Sequence, residues 1–166
     1  GLGDVYKRQV PYYLLQIEFH EGNYRYVVEN GGKLVQRAVP ERRKELERVI
    51  AESWFRLGDF NKTIEHLDAF AAAGGELDRD GSYLMGFSLY RTARYPEAAE
   101  YLRRACGAED ALTQNASYHL ADCYLRAGDK RAAMHTFAMA ADDRFDATIA
   151  EDALFNLSLI HISEPT

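Results

Sequence analysis

Four tripeptides set the phase of this chain: Gly22-Asn23-Tyr24, Gly58-Asp59-Phe60, Ala93-Arg94-Tyr95 and Gly128-Asp129-Lys130. Their starts lie 36, 35 and 35 residues apart. A fixed period in this range marks a repeat architecture, in which each unit buries its apolar face against its neighbours. Ahead of each tripeptide runs a helical segment ending in aromatics or leucine: YYLLQIEFHE, AESWFRLGD, YLMGFSLYRTA and YHLADCYLRAG. Behind each runs a second amphipathic segment: RYVVEN, NKTIEHLDAF, PEAAEYLRRA and KRAAMHTFAMA. Glycine just past a helical run is the expected stop, because it accepts left-handed backbone without steric cost. Pro96 falls where a first helical turn tolerates proline. The unit is helix, tight turn, helix.

The spacing predicts helices over about 10–21, 25–38, 41–57, 61–72, 80–93, 96–106, 112–127 and 130–142, with a ninth beginning near 147. Small residues recur at matching phase, at the places where the pattern this chain resembles needs paired helices to cross closely. These are Ala51, Gly86 and Ala121 in the first helices, and Ala98, Ala105, Ala133 and Ala140 in the second. Large residues fall between them: Ile50, Trp54, Met85, Leu89, Leu120 and Tyr124, then Leu67, Leu102 and Phe137. This phased set resembles the tetratricopeptide repeat (TPR) family. The resemblance implies an all-α fold, a right-handed α-solenoid of about four helix-turn-helix repeats plus a truncated fifth. The chain departs from the family pattern in placing Glu47, Ser82 and Ser117 where an early tryptophan is usual, and Thr63 where alanine is. Of the closing prolines only Pro40 is present.

The two ends read differently. Gly1–Gln9 (GLGDVYKRQ), written as GGG CTC GGA GAT GTG TAT AAG AGA CAG, is the reverse complement of a coding sequence for Leu157–Pro165 (LSLIHISEP), codon for codon. The string resembles a transposase adapter used in preparing sequencing libraries, so residues 1–9 and 157–166 are expected to be adapter-derived and not native. The native array is then 10–156, divided as 10–40, 41–75, 79–110, 112–145 and a partial unit over 147–156. On this reading the true N-terminus is missing.

The chain carries 26 acidic and 20 basic residues, a net charge of −6, and dropping the two ends leaves that balance unchanged. An acidic excess argues against nucleic acid as a partner, because phosphate binding needs a basic field. No apolar run approaches the roughly 18 residues of a membrane span, and two cysteines exclude a disulfide framework. The stretch ERRKELER, Glu41–Arg48, alternates sign and is expected to form a solvated helical face. Gly31-Gly32 should kink or fray the second helix, and AAAGGELDRDG is the candidate hinge.

Little in the sequence favours chemistry. Cys106 and Cys123 have only His119 near in register, which is too few ligands for zinc. Free thiols are the favoured reading, with a disulfide the alternative in an oxidising compartment. His20, His66 and His135 stand isolated, and Glu97, Glu100, Glu109 and Asp110 read as solvated acids. No phosphate-binding, dinucleotide-binding or nucleophile-elbow motif occurs. Neither enzyme activity nor a cofactor or metal is expected. The sequons at Asn61 and Asn115 are of a kind that arises by chance.

The resemblance implies that the first helix of each repeat lines a concave groove. Helical spacing places Tyr12, Gln16 and Phe19 on that face, then Arg48, Glu52 and Phe55, then Tyr83, Phe87 and Tyr90, then Tyr118, Asp122 and Leu125. His20, Arg56, Arg91 and Arg126 each stand two residues ahead of a tripeptide, so the arginines should form a ladder along one rim. Aromatics and arginine are preferred interface anchors. The same residues also serve as solenoid padding and as dipole partners at helix ends. The expected binding residues are Tyr12, Phe19, Phe55, Arg56, Tyr83, Phe87, Tyr90, Arg91, Tyr118 and Arg126. Glu52, Leu84 and His119 occupy the places of the polar clamp used by the chaperone-binding version of the family, which disfavours that subtype. The expected function is a non-catalytic scaffold holding a protein or peptide, with apolar anchors and acidic flanks. The alternative is a regulatory segment of a larger kinase, transferase or signalling protein. The repeats also resemble those of bacterial envelope-assembly and cell-division accessory proteins, which leaves periplasm, cell envelope and cytoplasm open as locations.

Overall fold

The computed structural model describes residues 1–163, among which there are nine α-helices and no strand. Glu164, Pro165 and Thr166, which close the suspected adapter segment, lie outside the described residues. The chain divides into two compact units, Gly1–Leu77 and Asp78–Thr166, and the division falls inside the loop expected to be a hinge. The first unit holds α1 (Leu2–His20), α2 (Tyr24–Arg37), α3 (Pro40–Leu57) and α4 (Phe60–Ala72). Each packs on the next, and α1 also lies against α3. The second unit holds α5 (Arg79–Arg91), α6 (Tyr95–Ala105), α7 (Ala111–Arg126), α8 (Lys130–Asp142) and α9 (Ala147–Ser163). These too pack in sequence, with α5 beside α7 and α7 beside α9.

Each tripeptide closes its turn in the same way. The first residue is left-handed: φ is +81° at Gly22, +83° at Gly58, +61° at Ala93 and +82° at Gly128. Its amide donates three residues back, to Phe19, Phe55, Tyr90 and Leu125 in turn. The next amide donates five back, to Glu18, Trp54, Leu89 and Tyr124, at 2.8 to 3.0 Å. This is the bond pattern of a glycine-type helix stop, which satisfies carbonyls that a helix end otherwise leaves open. Asp59 and Asp129 then cap the next helix by accepting from the Lys62 and Ala132 amides.

The small residues sit where the spacing placed them. Ala51, Ala98, Ala105, Ala121, Ala133 and Ala140 are wholly buried. A Cβ added to Gly86 would lie 2.8 Å from Leu102 Cγ and 2.9 Å from the Leu102 backbone nitrogen. Only glycine fits that crossing of α5 and α6. Leu67, Leu102 and Phe137 fill the core of the second helices.

Three local expectations are corrected. Helix α2 runs unbroken through Gly31 and Gly32, because Gly31 is a crossing point: its missing Cβ would lie 2.7 Å from Ile50 Cδ1. The Glu41–Arg48 face is not simply solvated, since Leu46 and Glu47 are buried. Glu47 Oε2 meets His66 Nδ1 at 2.6 Å across α3 and α4, so neither the acid nor the histidine is isolated. Helix α1 also continues back through the suspected adapter segment, whose residues 1–8 are exposed.

In the second unit, polar side chains tie successive repeats together. Arg79 donates to the Ala105 carbonyl at 2.8 Å, and its two terminal nitrogens bond the Asp110 carboxylate at 2.6 Å each. Asp110, expected to be a solvated acid, is therefore clasped. Gln114, 35 residues on from Arg79, is wholly buried and repeats the reach, donating to the Ala140, Asp143 and Asp146 carbonyls. Its Oε1 accepts from the Asp146 amide at 2.7 Å.

Candidate functional site

Helices α5 and α7 bring one dense group of rings together. Along α5, Tyr83 stacks on Phe87 with centroids 5.7 Å apart, and Phe87 lies 6.4 Å from Tyr90. These positions, four and three apart, share one helical face. From α7, His119 enters edge-on to both Phe87 and Tyr90, at 5.0 and 4.8 Å. Tyr118 meets His119 at 5.2 Å and Phe137 of α8 at 5.7 Å. Edge-to-face and offset contacts of this kind each add about 0.5–1.5 kcal/mol beyond burial.

The polar ends of these rings are engaged within the protein. Tyr83 Oη donates to Asn115 Oδ1 at 2.6 Å, and Tyr90 Oη donates to Asp122 Oδ2 at 2.5 Å. Burial pushes the Tyr83 phenol up to about 12. Tyr90 is raised further, by burial first and then by its hydrogen bond to Asp122. His119 Nδ1 donates to the Asn115 carbonyl at 2.8 Å, while burial holds the imidazole below its ordinary value. The cluster thus presents mainly hydrocarbon, with the hydroxyls of Tyr83 and Tyr90 already committed. Because Asn115 serves as acceptor to Tyr83, its sequon is part of the internal packing.

Each of the three arginines is engaged inside its own unit. Arg126 bonds Asp122 at 3.0 Å and lies over the Tyr95 ring at 4.6 Å. Arg56 pairs with Glu52 at 3.6 Å and lies over Tyr24 at 5.9 Å. The two arrangements are equivalent: a carboxylate one turn back, and the ring of the preceding tripeptide's third residue. Arg91 lies over Phe87 at 5.9 Å. Each guanidinium is held against an aromatic face, and those of Arg56 and Arg126 also meet a carboxylate.

In the first unit the expected residues are spread more thinly. Tyr12 lies under Arg42 at 5.1 Å, Phe19 meets His20 and Tyr24 edge-on, and Phe55 meets Phe60 at 5.6 Å. Glu52 bridges Arg48 and Arg56. A cleft of about 310 Å³ is lined by Gln16, Lys44, Glu45, Arg48, Val49 and Phe70. Tyr95, Asn115 and His119 are contributors that helical phase alone did not mark as binding-face residues. The signal for Tyr95 was its place as third residue of its tripeptide, about one repeat before Arg126.

Cys106 and Cys123 are both free. Cys106 Sγ approaches Ser117 Oγ at 3.5 Å, and burial raises its thiol. Burial likewise pushes Cys123 up to about 12. Among the described residues no group of three His, Cys, Asp or Glu is placed to hold a metal ion. No described helix is long and apolar enough to cross a membrane.

The fold defines an all-α helical repeat protein. Residues 115–143, which span most of α7 and all of α8, match the tetratricopeptide repeat family model. Two crystal structures of nearly identical TPR-like repeats, assigned to a kinesin light chain of Podosopora anserina, share the fold. The first, a substituted form of those repeats, gives a TM-score of 0.62 at 13% identity, over 94% of this chain and 85% of that one. The second, without the substitution, gives 0.61 at 13% identity, over 94% and 86%. No curated protein matches the chain. TPR-like repeats generally mediate protein–protein interaction and are generally not catalytic.

Proposed function

We propose that the chain is a non-catalytic scaffold that holds a peptide or protein segment along the α5–α7 face of the second unit. The ring cluster of Tyr83, Phe87, Tyr90, Tyr118 and His119 carries this reading. Its rings are half-buried and packed against one another, and the hydroxyls of Tyr83 and Tyr90 are bonded within the protein. Such a surface binds without first ordering its own side chains, which lowers the entropic cost of association. The occupant is a segment with apolar side chains for the rings. Its acidic flanks meet Arg91 and Arg126, which charge–aromatic contacts hold at the border of the cluster. Within the first unit, Tyr12, Phe19, Phe55 and Arg56 offer a second, sparser set of contacts for the same kind of ligand.

The test is calorimetry against a partner recovered by pull-down with the intact chain. Phe87→Ala should weaken binding by about 2 kcal/mol or more, as loss of a central aromatic anchor does. Arg91→Ala should cost less and reduce the salt dependence. Wild-type affinity in folded Phe87→Ala and Tyr118→Ala variants would place the binding surface elsewhere.

A further inference from the structure

Between the ends of α6 and α8 lies a cleft of about 330 Å³ that shares no residue with the ring cluster. Its apolar wall is built from Ala108, the half-buried Cys106 and Met139, which is 45% exposed. Three acids complete the lining: Glu109 from the α6–α7 loop, and Asp142 and Asp143 from the end of α8. Helix α8 has no basic residue in its last turn, whereas α6 and α7 close on arginines. The carboxyl end of a helix carries partial negative charge, and Asp142 and Asp143 add like charge to it. Burial first, then Glu109, Asp142 and Asp110, raise the Asp143 carboxyl, as a negative field short of counter-charge does. Arg79 is already committed to Asp110 and the Ala105 carbonyl, and Arg144 lines an adjoining cleft. Helices α6, α7 and α8 each pack on the helix before and the helix after, so the cleft does not owe its opening to either end of the chain.

We infer that this cleft docks an arginine side chain presented by a basic segment of a partner protein. The aliphatic stem packs on Met139 and Ala108, and the guanidinium enters among Glu109, Asp142 and Asp143. A thioether is soft and adapts its shape to such a stem. Arginine suits the cleft better than lysine, because its planar fork matches carboxylates and it is less strongly hydrated. A free amine would satisfy the same acids, but TPR-like repeats generally mediate protein–protein interaction, which points to a protein as the source. The docked segment is opposite in charge to the flanks of the ligand proposed for the ring cluster, and the two readings stand or fall separately.

The probe is the peptide Gly-Arg-Leu-Arg-Gly, with fluorescein at its amino end and an amide at the other. Its binding to the 166-residue chain is read by fluorescence anisotropy at low salt. The expected result is saturable binding that falls about tenfold or more in a Glu109→Gln/Asp142→Asn chain, as loss of the facing charges does. Met139→Ala should weaken it severalfold, because the stem loses its wall. All three positions are exposed, and retained helicity and urea midpoint confirm that the variants are folded. Glu29→Gln/Asp68→Asn removes the same charge from exposed sites of the first unit and should leave binding unchanged. Phe87→Ala should leave it unchanged too, which separates this cleft from the ring cluster. The peptide with citrulline in place of arginine keeps the shape without the charge and should not bind. Absence of binding overturns the inference, and so does an equal loss in the two double variants, because the attraction is then diffuse. Putrescine binding more tightly than the peptide, with the same dependence on Glu109 and Asp142, also overturns it, because the occupant is then a free amine.

Discussion

Gln114 and Arg79 stand one repeat apart and perform the same task with different chemistry. Each leaves the first turn of a first-position helix, reaches the carbonyl at the end of the following helix, and holds the aspartate that begins the next repeat. Arg79 works from a partly exposed site with charge. Gln114 works fully buried, sharing two hydrogens among three carbonyls.

Truncating Gln114 should therefore be costly. Gln114→Ala strips the Asp146 amide and three carbonyls of their partner inside the protein, and is expected to destabilise by about 2–4 kcal/mol. Arg79→Ala should cost less, because water can replace its bonds. Urea midpoints followed by circular dichroism rank the two, and an equal or reversed ranking would contradict the assigned roles.

The Arg79–Asp110 clasp should make the second unit sensitive to acid. Hydrogen bonds from Arg79, and then from the Thr113 amide, hold the Asp110 carboxyl well below the usual carboxylate range. An acid held low in the folded state contributes stability that is complete above its unfolded value of about 4 and is lost as pH falls through the folded one. Asp143 acts in the opposite sense. Burial first, then Glu109, Asp142 and Asp110, raise its carboxyl, so acidification relieves a cost there. Amide protection in α7, relative to the intrinsic exchange rate at each pH, should fall below about pH 4 in the unmodified chain. Asp110→Asn should flatten that response, and an unchanged profile would show that the clasp carries no acid dependence.

Ala93 is the one non-glycine among the described residues with positive φ. It is exposed, and both hydrogen bonds of its turn are present. Relieving the left-handed strain with Ala93→Gly should stabilise by about 1 kcal/mol, net of the extra freedom glycine gains when unfolded. The mirror change Gly58→Ala should destabilise by a similar amount. Thermal melts of the two variants should move in opposite directions.

Two glycines inside helices should answer alanine with opposite signs. At Gly86 the added methyl meets Leu102 backbone, so Gly86→Ala should destabilise by about 1–3 kcal/mol. At Gly32 nothing lies within 4 Å, so Gly32→Ala should stabilise by about 1 kcal/mol through helix propensity. A gain at both positions would mean that the α5–α6 crossing is looser than its geometry.

The repeat was legible because its turn is chemically conspicuous. A left-handed stop calls for glycine, three of four turns have it, and the tripeptide phase carried the helices and crossing alanines with it. Gly86 was readable as a small residue at a crossing for the same reason. Gly31 was misread as a helix breaker because propensity acts locally, whereas its value lies in the approach of Ile50. The ring cluster was half legible. Helical spacing collected Tyr83, Phe87 and Tyr90 on one face, but His119 joins from another helix. The acids beside Arg56 and Arg126 were not legible as partners, because Glu52 and Asp122 one turn back were read only as members of the inner face. Glu47 and His66, 19 residues apart, offered no pattern at all.

The uniform closure of the four turns has a consequence for how such a chain is lengthened. Since the same two backbone bonds close all four of these turns, such a turn does not depend on which helices it joins. A segment cut between corresponding residues of two turns, such as Asn23 and Asp59, therefore carries its own hinge hardware at both ends. Gene duplication in steps of one period would add or delete whole segments without a new loop having to be invented. Variation is then left to the faces of the helices, where successive copies have already diverged as far as arginine and glutamine at one shared position.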